Sequence, residues 1–404
     1  MTTVRVWAAL LLGVQAAVVV AQQAPPAAPA AAAASVEVRP IEAPATPLPP
    51  EAASANITRF SFIAYGDPRN RDDPGVAGDG EIPNPEHARL VDGMLLSVME
   101  RASTTSPIRF VLQSGDSVFR GEDGAMWNIS FSPIAERLTR GANLPYFLSV
   151  GNHDVTVKPT GDPVRALAVR NTLLAMSNLI PPEGSARRLS GYPTYAFGYG
   201  NTFFIAIDSN VASDPVQLAW VRDQLEGLDR TRYRHVIAFF HHPVYSSGPH
   251  NGVLPPASGT GQRPPDRVEP QTLALRALYM PLFRAHHVRM MIAGHDHLFD
   301  HWVERYVDNG VPYRIDELIT GGGGAPIYTY AGEPDLRAYL AEGAPARVTV
   351  EHLMKPGATA AQNPHHFIVV QVDGDDLSIE VVGSGPAPFT PYNGRSTMTL
   401  GERR

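Results

Sequence analysis

The feature that most constrains the fold is a set of five apolar runs, each followed closely by side chains that can bind metal ions. The runs are 62–65, 110–112, 146–148, 236–240 and 290–292. The residues that follow them are Asp67, Asp116, Asn152 with His153, His241, and His295 with His297. Short apolar runs are typical of buried strands, and open α/β sheets place their sites at the carboxyl ends of strands. We therefore expect these side chains to converge.

The alternation of strand-like and helix-like segments predicts an α/β fold. Residues 87–100 carry apolar side chains at helical spacing between two strand-like runs. The later half has hairpin signals such as Asp308-Asn309-Gly310. This mixture predicts two mixed β-sheets packed face to face and flanked by helices. A chain of 404 residues, 44% of them hydrophobic, is long enough for such a core.

The first 21 residues are typical of a secretory signal peptide. Arg5 supplies a positive start, residues 7–21 form the apolar stretch, and Val19-Val20-Ala21 fits a small-residue cleavage site. An N-terminal membrane anchor is the alternative. A run of about 15 residues is short for spanning a bilayer, so we favour cleavage.

Two further parts follow the signal peptide. Residues 22–55 are mostly Ala and Pro and predict an extended linker, and residues 57–404 are predicted to form one catalytic domain.

The chain has no cysteine, so export would not depend on disulfides. We predict an exported protein, periplasmic or extracellular, without stable membrane insertion once the signal peptide is cleaved. The sequence leaves the oligomeric state open.

The charge of the chain bears on its partners. The net charge is −7, and no basic stripe stands out, which argues against a nucleic-acid partner. We expect a small-molecule substrate instead.

The residue types at the ends of the apolar runs suit a centre of two metal ions. A carboxylate such as that of Asp116 can bridge two cations, and Asn152 offers an amide oxygen that binds metal without adding charge. Histidines 241, 295 and 297 suit iron, manganese or zinc. Two such divalent or trivalent ions a few ångströms apart form a centre for phosphoryl transfer.

Taken in order, these motifs resemble those of the calcineurin-like metallophosphoesterases, the superfamily that also contains purple acid phosphatases. The family pattern is D-x-H, G-D, G-N-H-[D/E], a His before Pro, and G-H-x-H, and the resemblance runs from Asp67 to His297. It implies a four-layer sandwich and a metal-dependent phosphatase or phosphodiesterase that attacks phosphate esters with a metal-bound hydroxide. The alternative from a different class is a non-catalytic envelope protein that binds metal or phosphate.

The resemblance also implies a role for each site residue. Six residues would be metal ligands: Asp67 and His297 on the first ion, Asn152, His241 and His295 on the second, and Asp116 bridging both. His153 would donate a proton to the leaving oxygen. Asp154 would orient the imidazole of His153, as a carboxylate fixes a histidine tautomer.

The chain departs from the family pattern at two positions. Arg69 stands where D-x-H has its His, and a guanidinium has no lone pair to give a metal. The first metal site is therefore expected to be weak, and Arg69 is expected to turn toward the substrate phosphate. Phe119 stands where purple acid phosphatases have a Tyr ligand, so no tyrosinate–iron colour is expected.

Two features of the sequence each allow two interpretations. Gly321 to Gly324 could cradle a phosphate through backbone N–H groups, or could let the chain pass close to the site. His242 follows the expected ligand His241, and we favour a packing or supporting role for it.

Overall fold

The computed structural model of the protein describes residues 36–69, 84–156, 158–250 and 268–401. The predicted signal peptide and the first part of the predicted linker, residues 22–35, lie outside the described residues. Among the helices in the described ranges, none has the length and apolar character needed to cross a bilayer.

Thirteen strands in the described residues form two sheets. They are β1 Arg59–Tyr65, β2 Ile108–Ser114, β3 Tyr146–Ser149, β4 Tyr195–Tyr199, β5 Thr202–Ala206, β6 His235–Phe239, β7 Met290–Ala293, β8 Phe299–Asp308, β9 Val311–Thr320, β10 Thr349–Met354, β11 His366–Asp373, β12 Asp376–Gly383 and β13 Thr397–Leu400. One sheet has the order β13-β12-β11-β1-β2-β3, and the other has the order β10-β8-β9-β7-β6-β5-β4.

Both sheets combine parallel and antiparallel pairs, as predicted. In the first sheet β1, β2 and β3 run parallel, and the hairpin of β11 and β12 adds antiparallel strands. In the second sheet β5, β6, β7 and β9 run parallel. The β8–β9 hairpin turns through Asn309 and Gly310, which both have positive φ, as type I′ turns require.

Helices lie between the strands along the chain. They are α1 Pro85–Arg101, α2 at 124–141, α3 Asn152–Val155, α4 Pro163–Ala175, α5 Pro215–Glu226, α6 at 270–285 and α7 Arg337–Glu342; α2 and α6 each include π-helical turns. Three of them begin with proline after a capping Asn or Asp side chain, at Asn84, Asp162 and Asp214. Such side chains satisfy the first free N–H groups of a helix, and proline suits its first position.

The core lies between the two sheets and under the helices. Phe204 of the second sheet meets Phe62 and Phe110 of the first, with ring centroids 5.3 and 5.2 Å apart. Burying each such side chain contributes about 1.5–3 kcal/mol. A second apolar cluster covers the outer face of the second sheet and includes Val221 of α5 and Phe283 of α6. The prediction of two mixed sheets packed face to face and flanked by helices is therefore confirmed.

Residues 36–55, which we assigned to the linker, pack on the domain. Val38 and Ile41 are buried, and the N–H of Ile41 donates to the carbonyl oxygen of Ala175 at 2.8 Å. The carboxylate of Glu51 accepts hydrogen bonds from Arg187 and Tyr233 at 2.8–2.9 Å. The folded part thus begins before residue 57. A few apolar and charged residues anchor this segment, although its Ala and Pro content is typical of an extended linker.

Candidate metal centre

The five strand ends that we singled out in the sequence meet at one place. Asp67 follows β1, Asp116 follows β2, and Asn152 follows β3 in the first sheet; His241 follows β6 and His295 follows β7 in the second. Asp67, Asp116 and His295 have φ between 57° and 70°, so the backbone turns sharply at these residues. The expected convergence is confirmed, and it joins the carboxyl ends of strands from both sheets.

Glycines allow the turns to approach one another closely. Gly115 has φ of 99°, a conformation that glycine adopts without strain. A Cβ on Gly151 would lie 2.1 Å from Oδ1 of Asp116, which no side chain could accommodate. Asp116 and the Gly151 turn can therefore pack together only because residue 151 is glycine.

The atoms expected to hold the second ion surround Nε2 of His241. This nitrogen lies 3.0 Å from Oδ1 of Asn152, 3.2 Å from Nδ1 of His295 and 3.3 Å from Oδ1 of Asp116. Nδ1 of His241 lies 3.0 Å from the carbonyl oxygen of Ser114. A carbonyl oxygen can only accept, so Nδ1 carries the hydrogen and Nε2 presents a lone pair. Lone pairs gathered around one point fit a cation.

Glu269 orients His295 within this group. Oε2 of Glu269 lies 2.7 Å from Nε2 of His295, and the carboxylate is buried. Burial raises the pKa of Glu269, but hydrogen bonds from His250 and His295 outweigh it and hold that pKa below its usual range. The ionised carboxylate accepts the Nε2 hydrogen, so Nδ1 of His295 presents its lone pair toward His241.

Sequence reasoning missed Glu269. It belongs to none of the recognised motifs, and the only local signal is that Pro270 follows it at a helix start. His242 lies on the same carboxylate, with Nε2 3.9 Å away, and burial lowers the pKa of His242 to about 3. His242, Glu269 and His295 offer donor atoms within 4.8 Å of one another. Because Nε2 of His295 donates to Glu269, this set supports His295, as we expected for His242.

The atoms expected to hold the first ion also converge. Asp67, Asp116 and His297 each offer a donor atom, and these atoms lie within 4.8 Å of one another. Nδ1 of His297 donates to the carbonyl oxygen of Pro326 at 2.8 Å, so Nε2 presents its lone pair, 3.5 Å from Oδ1 of Asp67. That oxygen is buried and has no hydrogen-bond partner in the described residues. Burial raises the pKa of Asp67 to about 7. These atoms also fit a cation.

Arg69 does not turn away from the ligands as we expected. Its Nε–H donates to Oδ2 of Asp116 at 2.9 Å, and only 9% of its side chain is exposed. Its guanidinium carbon lies 5.5 Å from the centre of the Phe119 ring. Burial alone would lower the pKa of Arg69, but the charge of Asp116 raises it. The cation therefore pairs with the carboxylate that was expected to bridge two metal ions.

His153 lies at the mouth of this group. Its Nδ1 donates to the carbonyl oxygen of Phe119 at 2.7 Å, which leaves Nε2 as the free nitrogen, 3.9 Å from Oδ2 of Asp116. A quarter of its side chain is exposed. The site therefore has an imidazole that solvent and a substrate can reach.

Asp154 does not orient His153, contrary to the expected role. Its two oxygens accept hydrogen bonds from the backbone N–H groups of Val118 and Gly151, at 3.1 and 2.9 Å. Burial raises the pKa of Asp154, and the charge of Asp116 raises it further. Asp154 therefore stabilises the turn that carries Asn152, and the backbone of Phe119 orients the imidazole of His153.

The glycine run 321–324 packs against the end of β1. The N–H of Gly323 donates to the carbonyl oxygen of Gly66 at 2.8 Å, and the N–H of Ala325 donates to that of Asp67 at 2.9 Å. A Cβ on Gly323 would lie 2.1 Å from the Gly66 oxygen. These contacts favour close packing beside the site over a phosphate cradle, because the N–H of Gly323 and the N–H that follows the run are already bonded to the end of β1.

A plant enzyme of known structure has the same fold. A purple acid phosphatase, PPD1 from yellow lupin (Lupinus luteus) seeds, is 15% identical with a TM-score of 0.55. The alignment covers 86% of this chain and 54% of the lupin chain, so this chain spans about half the length of that enzyme. GAP50, the anchor in the inner membrane complex of Plasmodium, is 15% identical with a TM-score of 0.49, covering 86% of this chain and 90% of that one. No curated protein matches the sequence.

The family is identified by the sequence itself. The profile described as calcineurin-like phosphoesterase matches residues 93–299, just over half of the chain. The matched region includes Asp116, Asn152, His241, His295 and His297, while Asp67 and Arg69 precede it. The chain therefore belongs to the calcineurin-like phosphoesterase family.

Proposed function

We propose that the protein is a metal-dependent hydrolase of small phosphate esters. The observation that carries the proposal is the position of Nε2 of His241, 3.0–3.3 Å from donor atoms of Asn152, His295 and Asp116. Membership of the calcineurin-like phosphoesterase family supports this reaction class. Cations held there would supply Lewis-acid charge and an activated water for attack on phosphorus.

The side chains of the site have separate tasks in this reaction. The Phe119 carbonyl fixes the ring of His153, so Nε2 is the atom that gives a proton to the leaving oxygen. Its exposure allows leaving groups of different size to approach. Arg69 pairs with Asp116 and holds that carboxylate in place.

Both monoesters and diesters belong in the substrate test. An Arg69 side chain turned toward the substrate would pair with the terminal oxygens of a monoester. Arg69 pairs with Asp116 instead, so it gives monoesters no advantage over diesters. The same ion pair favours a second candidate function, a non-catalytic protein that binds metal or phosphate, because it engages the carboxylate that two ions would share.

Reconstitution with single metals separates the two candidate functions. The protein is stripped with a chelator, reloaded with Mn²⁺, Zn²⁺, Fe²⁺ or Co²⁺, and assayed on p-nitrophenyl phosphate and bis(p-nitrophenyl) phosphate. We expect metal-dependent hydrolysis of at least one ester, lost in His241→Ala and kept in the matched variant His286→Ala. A protein that binds metal yet hydrolyses neither ester with any ion would be the non-catalytic binder.

We also propose that the protein is exported and that residues 1–21 are removed. The apolar run 7–21, the small residues 19–21 and the absence of cysteine from the sequence support this. Intact mass and N-terminal sequencing of protein from the envelope and the medium provide the test. An N-terminus at Met1 in the exported fraction would contradict cleavage.

A further inference from the structure

We propose that the guanidinium of Arg69 takes the place of the first metal ion, so that the centre binds one ion, held by Asp116, Asn152, His241 and His295. This inference deepens the proposed function and rests on its metal-binding part. It does not depend on which ester is hydrolysed.

The two carboxylate oxygens of Asp116 have different partners. Oδ1 lies 3.3 Å from Nε2 of His241 and accepts the backbone N–H of His153 at 2.9 Å, so this oxygen belongs to the second site. Oδ2 is the oxygen that a bridging carboxylate would offer to the first ion. It accepts the Nε–H of Arg69 at 2.9 Å. The positive charge next to Oδ2 of Asp116 is therefore the guanidinium of Arg69, a side chain of the protein itself.

Arg69 is fixed beside the first site. Its Nε–H contacts the buried carboxylate of Asp116, and its guanidinium carbon lies 5.5 Å from the centre of the Phe119 ring. Asp116 in turn offers a donor atom within 4.8 Å of donor atoms of Asp67 and His297. The positive charge of Arg69 is therefore held next to the ligands of the first ion.

The balance of charge favours one ion over two. Asp67 and Asp116 are the only carboxylates among the six expected ligands, and the ionised Glu269 behind His295 adds a third negative charge. One divalent ion together with Arg69 would bring three positive charges against three negative ones. Two ions with Arg69 would bring five against three, at short distances and in a buried site where Coulomb repulsion is strong. A guanidinium cannot relieve this by losing its proton.

The number of donors at each site also favours a single ion, bound at the second site. The second site has four donors, with His241 oriented by the Ser114 carbonyl and His295 by Glu269. The first site has Asp67 and His297, shares Asp116, and has a guanidinium where the family pattern has a histidine. Four protein donors are enough to hold zinc or a similar ion without a contribution from the first site.

Metal stoichiometry tests the proposal directly. Protein dialysed against Mn²⁺ or Zn²⁺ and then against metal-free buffer is analysed for metal per chain. We expect one ion in the natural protein and two in Arg69→His, because the imidazole restores the missing donor. Arg120→His is the matched control, since Arg120 also lies against the Phe119 ring, at 5.9 Å, and this variant should stay at one. Two ions in the natural protein, or one in a folded Arg69→His protein, would overturn the proposal.

A second pair of variants locates the ion and does not depend on Arg69→His folding. His241→Ala should lose the ion, whereas His297→Ala should keep it at a similar affinity. Retention by His241→Ala together with loss by His297→Ala would place the ion at the first site and overturn the proposal. The electron paramagnetic resonance spectrum of the Mn²⁺-loaded natural protein should also be that of an isolated ion. Exchange coupling between two Mn²⁺ ions should appear only in Arg69→His. A coupled spectrum in the natural protein contradicts the inference.

These readouts separate the inference from the proposed function. One ion bound at His241 without esterase activity would support the inference and contradict the proposed hydrolase function. Two bound ions with full activity would contradict the inference and support the hydrolase function.

Discussion

Glu269 accepts a hydrogen bond of 2.7 Å from Nε2 of His295, and this contact sets which nitrogen of His295 faces the metal centre. The two residues are 26 positions apart in the chain, and both are buried. A carboxylate behind a ligating histidine fixes its tautomer and raises its basicity. Glu269 is therefore a positioning residue for the centre.

Replacing Glu269 should weaken metal binding without removing a ligand. We expect Glu269→Ala to lower the affinity about 10–100-fold, the usual cost of losing such a partner. Glu269→Gln keeps an oxygen that can accept the Nε2 hydrogen, so its loss should be smaller. Competition between the protein and a chromophoric chelator measures both. Equal affinity in the natural protein and Glu269→Ala would show that the contact does not orient His295.

The role of His153 can be tested through the leaving group. If Nε2 of His153 protonates the leaving oxygen, His153→Ala should reduce turnover of alkyl phosphates about 10²–10⁴-fold. Aryl phosphates with acidic leaving groups, such as p-nitrophenyl phosphate, need little protonation and should be affected much less. Turnover across a series of leaving groups of rising pKa gives the measurement. An equal loss of turnover for every ester would show that His153 contributes to substrate binding or to the fold and does not protonate the leaving group.

Gly121 joins the turn after β2 to the turn that carries His153. Its N–H donates to the carbonyl oxygen of His153 at 2.8 Å, and a Cβ on it would lie 1.7 Å from the backbone oxygen of Asp154. We expect Gly121→Ala to lower the free energy of unfolding by about 3 kcal/mol, because backbone atoms must move. Gly141→Ala is the matched control, with nothing within 4 Å of its Cβ, and should change stability by less than about 0.5 kcal/mol. Urea denaturation measures both.

His366 should make the fold sensitive to acid. It is fully buried between Phe299 and Phe389, its Nδ1 donates to the Pro364 carbonyl, and burial lowers its pKa to about 4. Between pH 6.5 and 4 the unfolded chain binds a proton that the folded chain does not. The unfolding free energy should therefore fall as the pH falls through this window, by up to about 3 kcal/mol from this residue.

The variant His366→Phe isolates this contribution. It should flatten the dependence of the unfolding free energy on pH between 4 and 6.5, relative to the natural protein. His286→Phe, at a partly buried surface position, serves as the control and should flatten it less. Parallel curves for His366→Phe and the natural protein would show that the fold does not lower the pKa of His366.

The strands and their ligand-bearing ends could be predicted because their signals are local. The apolar run 110–112 lies within β2, Ile108–Ser114, and the run 236–240 overlaps β6, His235–Phe239. The helical spacing over 87–100 lies within α1, Pro85–Arg101. In each case a continuous apolar run or helical spacing indicates the element, and tertiary contacts do not override it.

The partners of the site residues could not be predicted, because they depend on contacts between distant parts of the chain. Arg69 pairs with Asp116 across 47 positions, and no local pattern distinguishes this from a contact with substrate. Asp154 directly follows His153 yet bonds to Val118 and Gly151, because a buried carboxylate takes the N–H groups that the fold brings to it.

The anchoring of residues 36–55 shortens the spacer that the Ala and Pro content of this region suggests. A peptide spans about 3.5 Å per residue only when it is free to extend, so these 20 residues would have contributed about 70 Å of reach. Because Val38, Ile41 and Glu51 hold the segment against the domain, that length serves to cover the surface of the fold.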